Sequence, residues 1–227
     1  VYVGGNAGYY ATGSYNVFMG YEAGKGGTTS APFSSGQNNT ALGYQAYDAF
    51  TTGHSNTAVG VSALGANTSG AENTTLGHHA GAAMVYGEQN VIIGAYAGDG
   101  ANFSSGHTIV GQAAGGDLTT TARTTLIGKG AGQQINSADA DGTVAIGYEA
   151  GKAITSGQKN TAIGYQALYT QVDGDKNTAV GYKALRTVEA ASDGYGYNTA
   201  VGSEALTSLT TGTGCIALGA DALLNST

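Results

Sequence analysis

Asn160 to Leu168 reads NTAIGYQAL, and near-copies of this nonapeptide return along the whole chain. They start at Asn39 (NTALGYQAY), Asn56 (NTAVGVSAL), Asn73 (NTTLGHHAG), Asn90 (NVIIGAYAG), Asn177 (NTAVGYKAL) and Asn198 (NTAVGSEAL). Looser copies centre on Gly4, Gly20, Gly111, Gly128, Gly147 and Gly219, which makes thirteen units aligned on one glycine. From Gly4 to Gly219 the steps are 16, 23, 17, 17, 17, 17, 17, 19, 17, 17, 21 and 17 residues. A fixed period of this size marks a stacked array in which one repeat is one structural unit.

Within a unit the position before the glycine is always a large aliphatic, from Val3, Met19 and Leu42 to Ile163, Val180 and Leu218. Two positions earlier, Thr40, Thr57, Thr74, Thr125, Thr161 and Thr178 interchange with Val17, Val91, Val144 and Ile216. Slots at a two-residue period around a glycine exclude an amphipathic helix and make a strand, and both slots are expected to face the core. Alanine stands three residues after the glycine in all thirteen units, as a tight inward corner requires. Four residues further on, Phe50, Met84, Leu118, Ile135, Ile154, Val188 and Leu209 predict a second, opposing strand. Gly53, Gly70, Gly87, Gly157, Gly174 and Gly212 then predict a return turn at positive φ. The expected fold is all-β: one continuous parallel β-solenoid over residues 1–227, with coils about 4.8 Å apart and a rod of roughly 60 Å.

Two further slots follow from the same alignment. Asn16, Asn39, Asn56, Asn73, Asn90, Asn160, Asn177 and Asn198 stand four before the glycine, in eight of the twelve units that reach this slot. Stacked in register, such amides pass hydrogen bonds from coil to coil, although asparagine also suits a left-handed turn. Two before the glycine, Ala41, Ala58, Ala145, Ala162, Ala179, Ala200 and Ala217 share a slot with Phe18, Ile92, Ile109 and Leu126. With the aliphatics inward this alanine stripe faces out, and an apolar stripe on an outer face marks an interface. Ala41, Ala58, Ala145, Ala162, Ala179 and Ala200 are therefore the expected contacts with further copies of the chain.

Composition narrows the function classes. Forty glycines with one proline and no tryptophan would suit a low-complexity coil if scattered, but they keep the period. A hydrophobic share of 41% against 10% charged residues is too apolar for a disordered chain. A net charge of −7 with only eight Lys and Arg leaves no basic surface for nucleic acid. No apolar run approaches the roughly 20 residues of a membrane span. Cys215, the single cysteine, excludes an intrachain disulfide and stands in an asparagine slot.

Repeats such as NTAVGYKAL and NTAIGYQAL resemble the head repeats of trimeric autotransporter adhesins, whose core motif is similar to NSVAIG. They resemble still more the repeat arrays of bacteriophage tail fibres and related extracellular fibres. The resemblance runs through the Asn, aliphatic, Gly and Ala slots over nearly the whole chain, although the 17-residue step is longer than that of the adhesin head. It implies a left-handed parallel β-roll, commonly three chains side by side, at a cell or virion surface.

Residues with chemistry are few. Tyr21, Tyr44, Tyr148, Tyr165 and Tyr182 share the slot after the glycine, the last three on consecutive coils. Stacked tyrosines either pack coil on coil or offer sugar rings an apolar face with a hydroxyl rim, so Tyr148, Tyr165 and Tyr182 are candidate glycan contacts. Asp139, Asp141 and Gly142 resemble the opening of a calcium loop without its remaining ligands, and Asp173 and Asp175 likewise read as turn carboxylates. His54, His78, His79 and His107 have no acid or thiol at ligand spacing, so no catalytic, metal or cofactor site is expected. The hexapeptide period of β-solenoid acyltransferases is absent. Threonine ladders suit ice binding, which the expected inward aim of the threonines opposes. Extra residues fall at Gly26–Gly36, Ser137–Gly142 and Ala190–Tyr197, on one edge of the solenoid, where binding loops and cheap insertions both collect. Glycosylation triplets begin at Asn38, Asn67, Asn73, Asn102 and Asn225.

The function expected from these readings is a rigid, non-enzymatic extracellular fibre subunit that self-associates. The alternative is an adhesin or tail-fibre receptor-binding segment that recognises surface glycans. Because the first strand is under way at Val1 and the stretch from Leu223 to Thr227 is apolar enough to continue, open strand edges predict head-to-tail stacking into a filament.

Overall fold

The computed structural model describes residues 1–27, 33–100, 105–119, 123–137, 140–188, 196–209 and 212–224. Over these residues the chain is all-β, a parallel β-solenoid without an α-helix. The chain forms two compact units, Val1–Gln112 and Ala113–Thr227.

The first unit carries β1 (Tyr2–Val3), β2 (Val17–Met19), β3 (Thr40–Leu42), β4 (Thr57–Val59), β5 (Thr74–Leu76), β6 (Val91–Ile93) and β7 (Thr108–Val110). Each strand pairs in parallel with the next and in strict register, so that Thr40, Ala41 and Leu42 lie opposite Thr57, Ala58 and Val59. The second unit repeats this with β8 (Thr125–Ile127), β9 (Val144–Ile146), β10 (Thr161–Ile163), β11 (Thr178–Val180), β13 (Thr199–Val201) and β15 (Ile216–Leu218). There Thr161, Ala162 and Ile163 face Thr178, Ala179 and Val180. A second, two-stranded parallel sheet joins β12 (Thr187–Val188) to β14 (Ser208–Leu209).

The strands are short because the chain turns immediately after them. At Gly77 φ is +141°, and a Cβ would lie 2.6 Å from the carbonyl oxygen of Gly94 on the next rung, so glycine meets both a backbone and a steric requirement. Two and four residues beyond the central glycine the backbone is left-handed even with full side chains, as at Gln166 (φ 50°) and Leu168 (φ 53°). Among the described residues, the second strand expected in each coil forms only at β12 and β14. Elsewhere the opposing wall is built of turns that still bond rung to rung, Leu64 N–H to Ala80 O at 2.9 Å and Thr51 N–H to Thr68 O at 2.7 Å.

Two expectations about orientation are corrected. Gly53, Gly70, Gly87, Gly157, Gly174 and Gly212 do not have positive φ. At Gly53, Gly70 and Gly157 the rungs touch, and a Cβ on Gly53 would lie 2.6 Å from Gly70 O. The faces of the strands are also the reverse of the expected ones. Ala41, Ala58, Ala145, Ala162, Ala179 and Ala200 are fully buried inside the coil, together with Phe18, Ile92, Ile109 and Leu126. The threonine and aliphatic columns point outward, with Leu42 46% and Leu76 47% exposed. The reason is the narrow coil. The inner strand slot packs against the side chain six residues on, and their volumes trade: Phe18 meets Gly24 and Leu126 meets Gly132, where an added Cβ would lie 2.5 Å and 2.6 Å from the larger side chain. Ala58, Ala162 and Ala179 instead accompany the buried Leu64, Leu168 and Leu185. Leu118, Ile135, Ile154, Met84 and Phe50 close the far wall of the core.

Candidate functional site

The outer face of the strands is open to a partner. Alternate side chains of a strand leave the sheet on one side, so each rung contributes a threonine or valine and an aliphatic. In the first unit the aliphatic column is Val3, Met19, Leu42, Val59, Leu76, Ile93 and Val110; in the second it is Ile127, Ile146, Ile163, Val180, Val201 and Leu218. None of these side chains is buried. Thr40, Thr57, Thr74, Thr108, Thr125, Thr161, Thr178 and Thr199 run beside them, so the objection that threonine faces inward does not hold in this structure.

The asparagine column lies on the inner side, next to the alanines. Asn73 Nδ2 donates to Asn56 Oδ1 at 3.0 Å and to Gly87 O at 2.8 Å, while its Oδ1 accepts from the backbone N–H (3.1 Å) and Nδ2 (2.9 Å) of Asn90. The bond to Gly87 ties the start of a rung to its return turn, and the bonds through Oδ1 tie rung to rung. Asn39, Asn56, Asn160 and Asn198 make the same clasp to Gly53, Gly70, Gly174 and Gly212. Asn16 reaches Gly36 O, and Asn177 Oδ1 accepts from Asn198. None of the eight has a left-handed backbone. The substituted slots keep part of this pattern: His107 and Cys215 donate their N–H to the preceding Asn90 and Asn198, and Thr143 Oγ1 donates to Ala140 O at 2.9 Å. Cys215 is thus a column position.

Tyrosines form the corner beside the aliphatic column. Tyr148 and Tyr165 stack at 5.1 Å between ring centres, Tyr165 and Tyr182 at 5.4 Å, and Tyr21 and Tyr44 at 5.6 Å. Under each stack lies one polar bracket. Glu149 accepts from Lys152 Nζ (2.7 Å) on one oxygen and from Gln166 Nε2 (2.9 Å) on the other; Glu22 does the same with Lys25 (2.9 Å) and Gln45 (2.9 Å). Hydrogen bonds from Lys152 and then Gln166 hold the Glu149 carboxyl below its ordinary pKa, and those from Gln45 and Lys25 hold Glu22 below. The sequence behind both brackets is the hexapeptide GYEAGK, at Gly20–Lys25 and Gly147–Lys152, followed one rung later by GYQA. That recurrence is the signal by which the brackets could have been found.

The acidic turns are engaged with neighbouring rungs. Asp173 Oδ1 accepts from Ser156 (2.6 Å) and Thr155 (3.2 Å), Asp175 Oδ1 from the Gln158 N–H (2.9 Å), and Asp141 pairs with Arg123 at 3.0 Å. Asp139 lies outside the described residues, as do Pro32 with much of the Gly26–Gly36 loop, most of Ala190–Tyr197, Asn102, and Asn225 to Thr227. Ser35, Gly36, Gln37, Asn38, Thr52 and His54 line an open hollow of about 240 Å³. His78 and His79 pack on each other and on Tyr96, and burial raises the Asp99 carboxyl pKa against their pull. Among the described residues no three His, Cys, Asp or Glu are placed to hold a metal ion.

Two core positions escape the sequence reading. Asn67 and Gln171 occupy the far-wall slot that is Phe50, Met84 or Ile154 elsewhere, and both are fully buried with neither end of the amide bonded to protein. Such groups cost about 1–3 kcal/mol each. Their mismatch with an otherwise apolar column was legible in the alignment.

Comparison of the chain with protein-family models, with curated proteins and with solved structures finds no match. The fold by itself defines the class, a β-solenoid repeat protein.

Proposed function

We propose that this chain is a rigid, non-enzymatic segment of an extracellular or virion-surface fibre, in which copies associate side by side through the outward threonine–aliphatic face. The observation that carries the reading is the outward column of Val, Met, Leu and Ile in each unit, set on rungs already hydrogen-bonded to one another. Burying such a column needs no refolding, and contiguous apolar surface of this kind marks an interface. Side chains of unequal size, such as Met19, Leu42 and Val59, suit interdigitation with a protein surface better than contact with a regular lattice of water, which sets ice binding behind self-association. Three copies, as the family resemblance implies, would bring three such faces to a common axis.

Sedimentation of the full chain over a wide concentration range tests this. The expected result is an oligomer that Leu76→Glu together with Ile163→Glu converts to monomer with an unchanged circular dichroism spectrum. A wild-type monomer at every concentration refutes it. Glutamate at Ala162 or Ala179 cannot serve, because those positions are inside the coil. A second reading, a receptor-binding segment that recognises surface glycans, is favoured by the Tyr148–Tyr165–Tyr182 column.

A further inference from the structure

We propose that the Tyr148–Tyr165–Tyr182 corner binds an extended, equatorially linked hexopyranose chain laid along the column, one sugar ring per rung. The inference rests on the glycan-recognition reading and is independent of self-association.

The ring geometry decides how a sugar is met. Adjacent rings are within 11° and 19° of parallel, so the faces of Tyr165 are covered by its neighbours and no sugar stacks flat upon it. Lys183 Nζ sits 4.8 Å from the Tyr182 ring centre. With roughly two-fifths of each residue exposed, the column offers one ring edge and one phenol per rung, the Tyr182 phenol in contact with Lys183. A hydroxyl both donates and accepts, as sugar hydroxyls do. A ligand that meets three such groups must carry hydroxyls at the rung spacing and stay straight over three repeats. Equatorially linked hexopyranose chains are straight ribbons with a ring repeat close to that spacing, whereas axially linked chains coil away from a linear row.

The surroundings hold the row in place. Both oxygens of Glu149 are engaged by Lys152 and Gln166, and Gln166 Oε1 accepts from Arg186 Nε at 3.3 Å. Lys152 and Arg186 both lie against the Tyr169 ring, at 5.7 Å and 5.3 Å from its centre. Glu149 and Lys152 pair with each other, while Arg186 and Lys183 leave the column edged by cations, and the bracket ties Gln166 to the rung below. Preorganised polar groups of this kind bind without an ordering cost.

Isothermal titration of the full chain with cellohexaose and chitohexaose, against maltohexaose, tests the proposal. Saturable binding of at least one of the first two, about tenfold or more tighter than maltohexaose, is expected. Tyr165→Phe, which keeps the stack and removes one hydroxyl, should weaken it about threefold to tenfold, the worth of one neutral hydrogen bond. Equal binding of maltohexaose, or unchanged binding by Tyr165→Phe, overturns the extended-chain inference while a less specific glycan site survives. No binding of any of the three overturns both.

Discussion

Replacing Asn73 by alanine removes a clasp and three rung-to-rung hydrogen bonds at once. Four side-chain hydrogen bonds disappear, those between Asn73 and Asn56 Oδ1, Gly87 O, Asn90 N–H and Asn90 Nδ2. The site is fully buried, so water does not replace them without opening the coil. At about 0.5–1.5 kcal/mol net per bond the loss is about 2–6 kcal/mol, a large part of the 5–15 kcal/mol typical of a folded domain. Thr143 stands in the equivalent slot, with its hydroxyl near the equivalent carbonyl, Gly157 O, at 3.4 Å and bonded to Ala140 O. Asn73→Thr should therefore recover part of the clasp and be milder than Asn73→Ala by about 1 kcal/mol. Because each rung contacts only its neighbours, the damage should be local. Amide hydrogen exchange at Asn73, Asn90 and Gly87, with urea unfolding followed by circular dichroism, measures both effects. An alanine variant within about 0.5 kcal/mol of wild type, or a threonine variant no milder than alanine, would refute the clasp as the closure of the rung.

Other outcomes follow from the core and its charges. Ala162→Leu should overpack the coil by about 1–3 kcal/mol, and Leu168→Gly should open a cavity; together they recreate the Leu126–Gly132 pairing and should cost clearly less than the sum, whereas additivity in a double-mutant cycle would discard volume trading. Asn67→Met, which restores the apolar residue found at Met84, should stabilise the chain by about 1–3 kcal/mol in chemical denaturation, and a loss would show that the amide is satisfied. Burial raises the Asp48 pKa in the folded state, so above that raised value the ionised carboxylate penalises folding and below the ordinary aspartate range it does not. Asp48→Asn should therefore raise the thermal midpoint at neutral pH, with the gain fading as the pH falls through the carboxylate range; a gain independent of pH would assign it to another cause.

The period, the strand positions and the parallel register were legible because the hydrogen-bonded ladder asks each rung to present the same slots, and NTAIGYQAL and NTAVGYKAL carry those slots in plain view. The site was less so. Tyr148, Tyr165 and Tyr182 could be placed in one column from spacing, but the direction of their rings, faces inward to each other and edges outward, depends on the rung twist. The far-wall slot of Phe50, Met84 and Ile154 is apolar and buried whether the backbone there is a strand or a turn, which is why a second strand was expected where turns stand.

The amino-acid sequence by itself determined a solenoid and the slots of its repeat. Only the tertiary structure decided which strand face is inside. Alternation has two phases, and here both are apolar, alanine in one and Val, Leu or Ile in the other, so hydrophobicity does not choose between them. Closure of the coil chooses. Side chains six residues on, such as Leu64 and Leu168, already fill the narrow interior, and only alanine, or a large residue opposite glycine, fits against them; the aliphatics beside each central glycine are left to face outward.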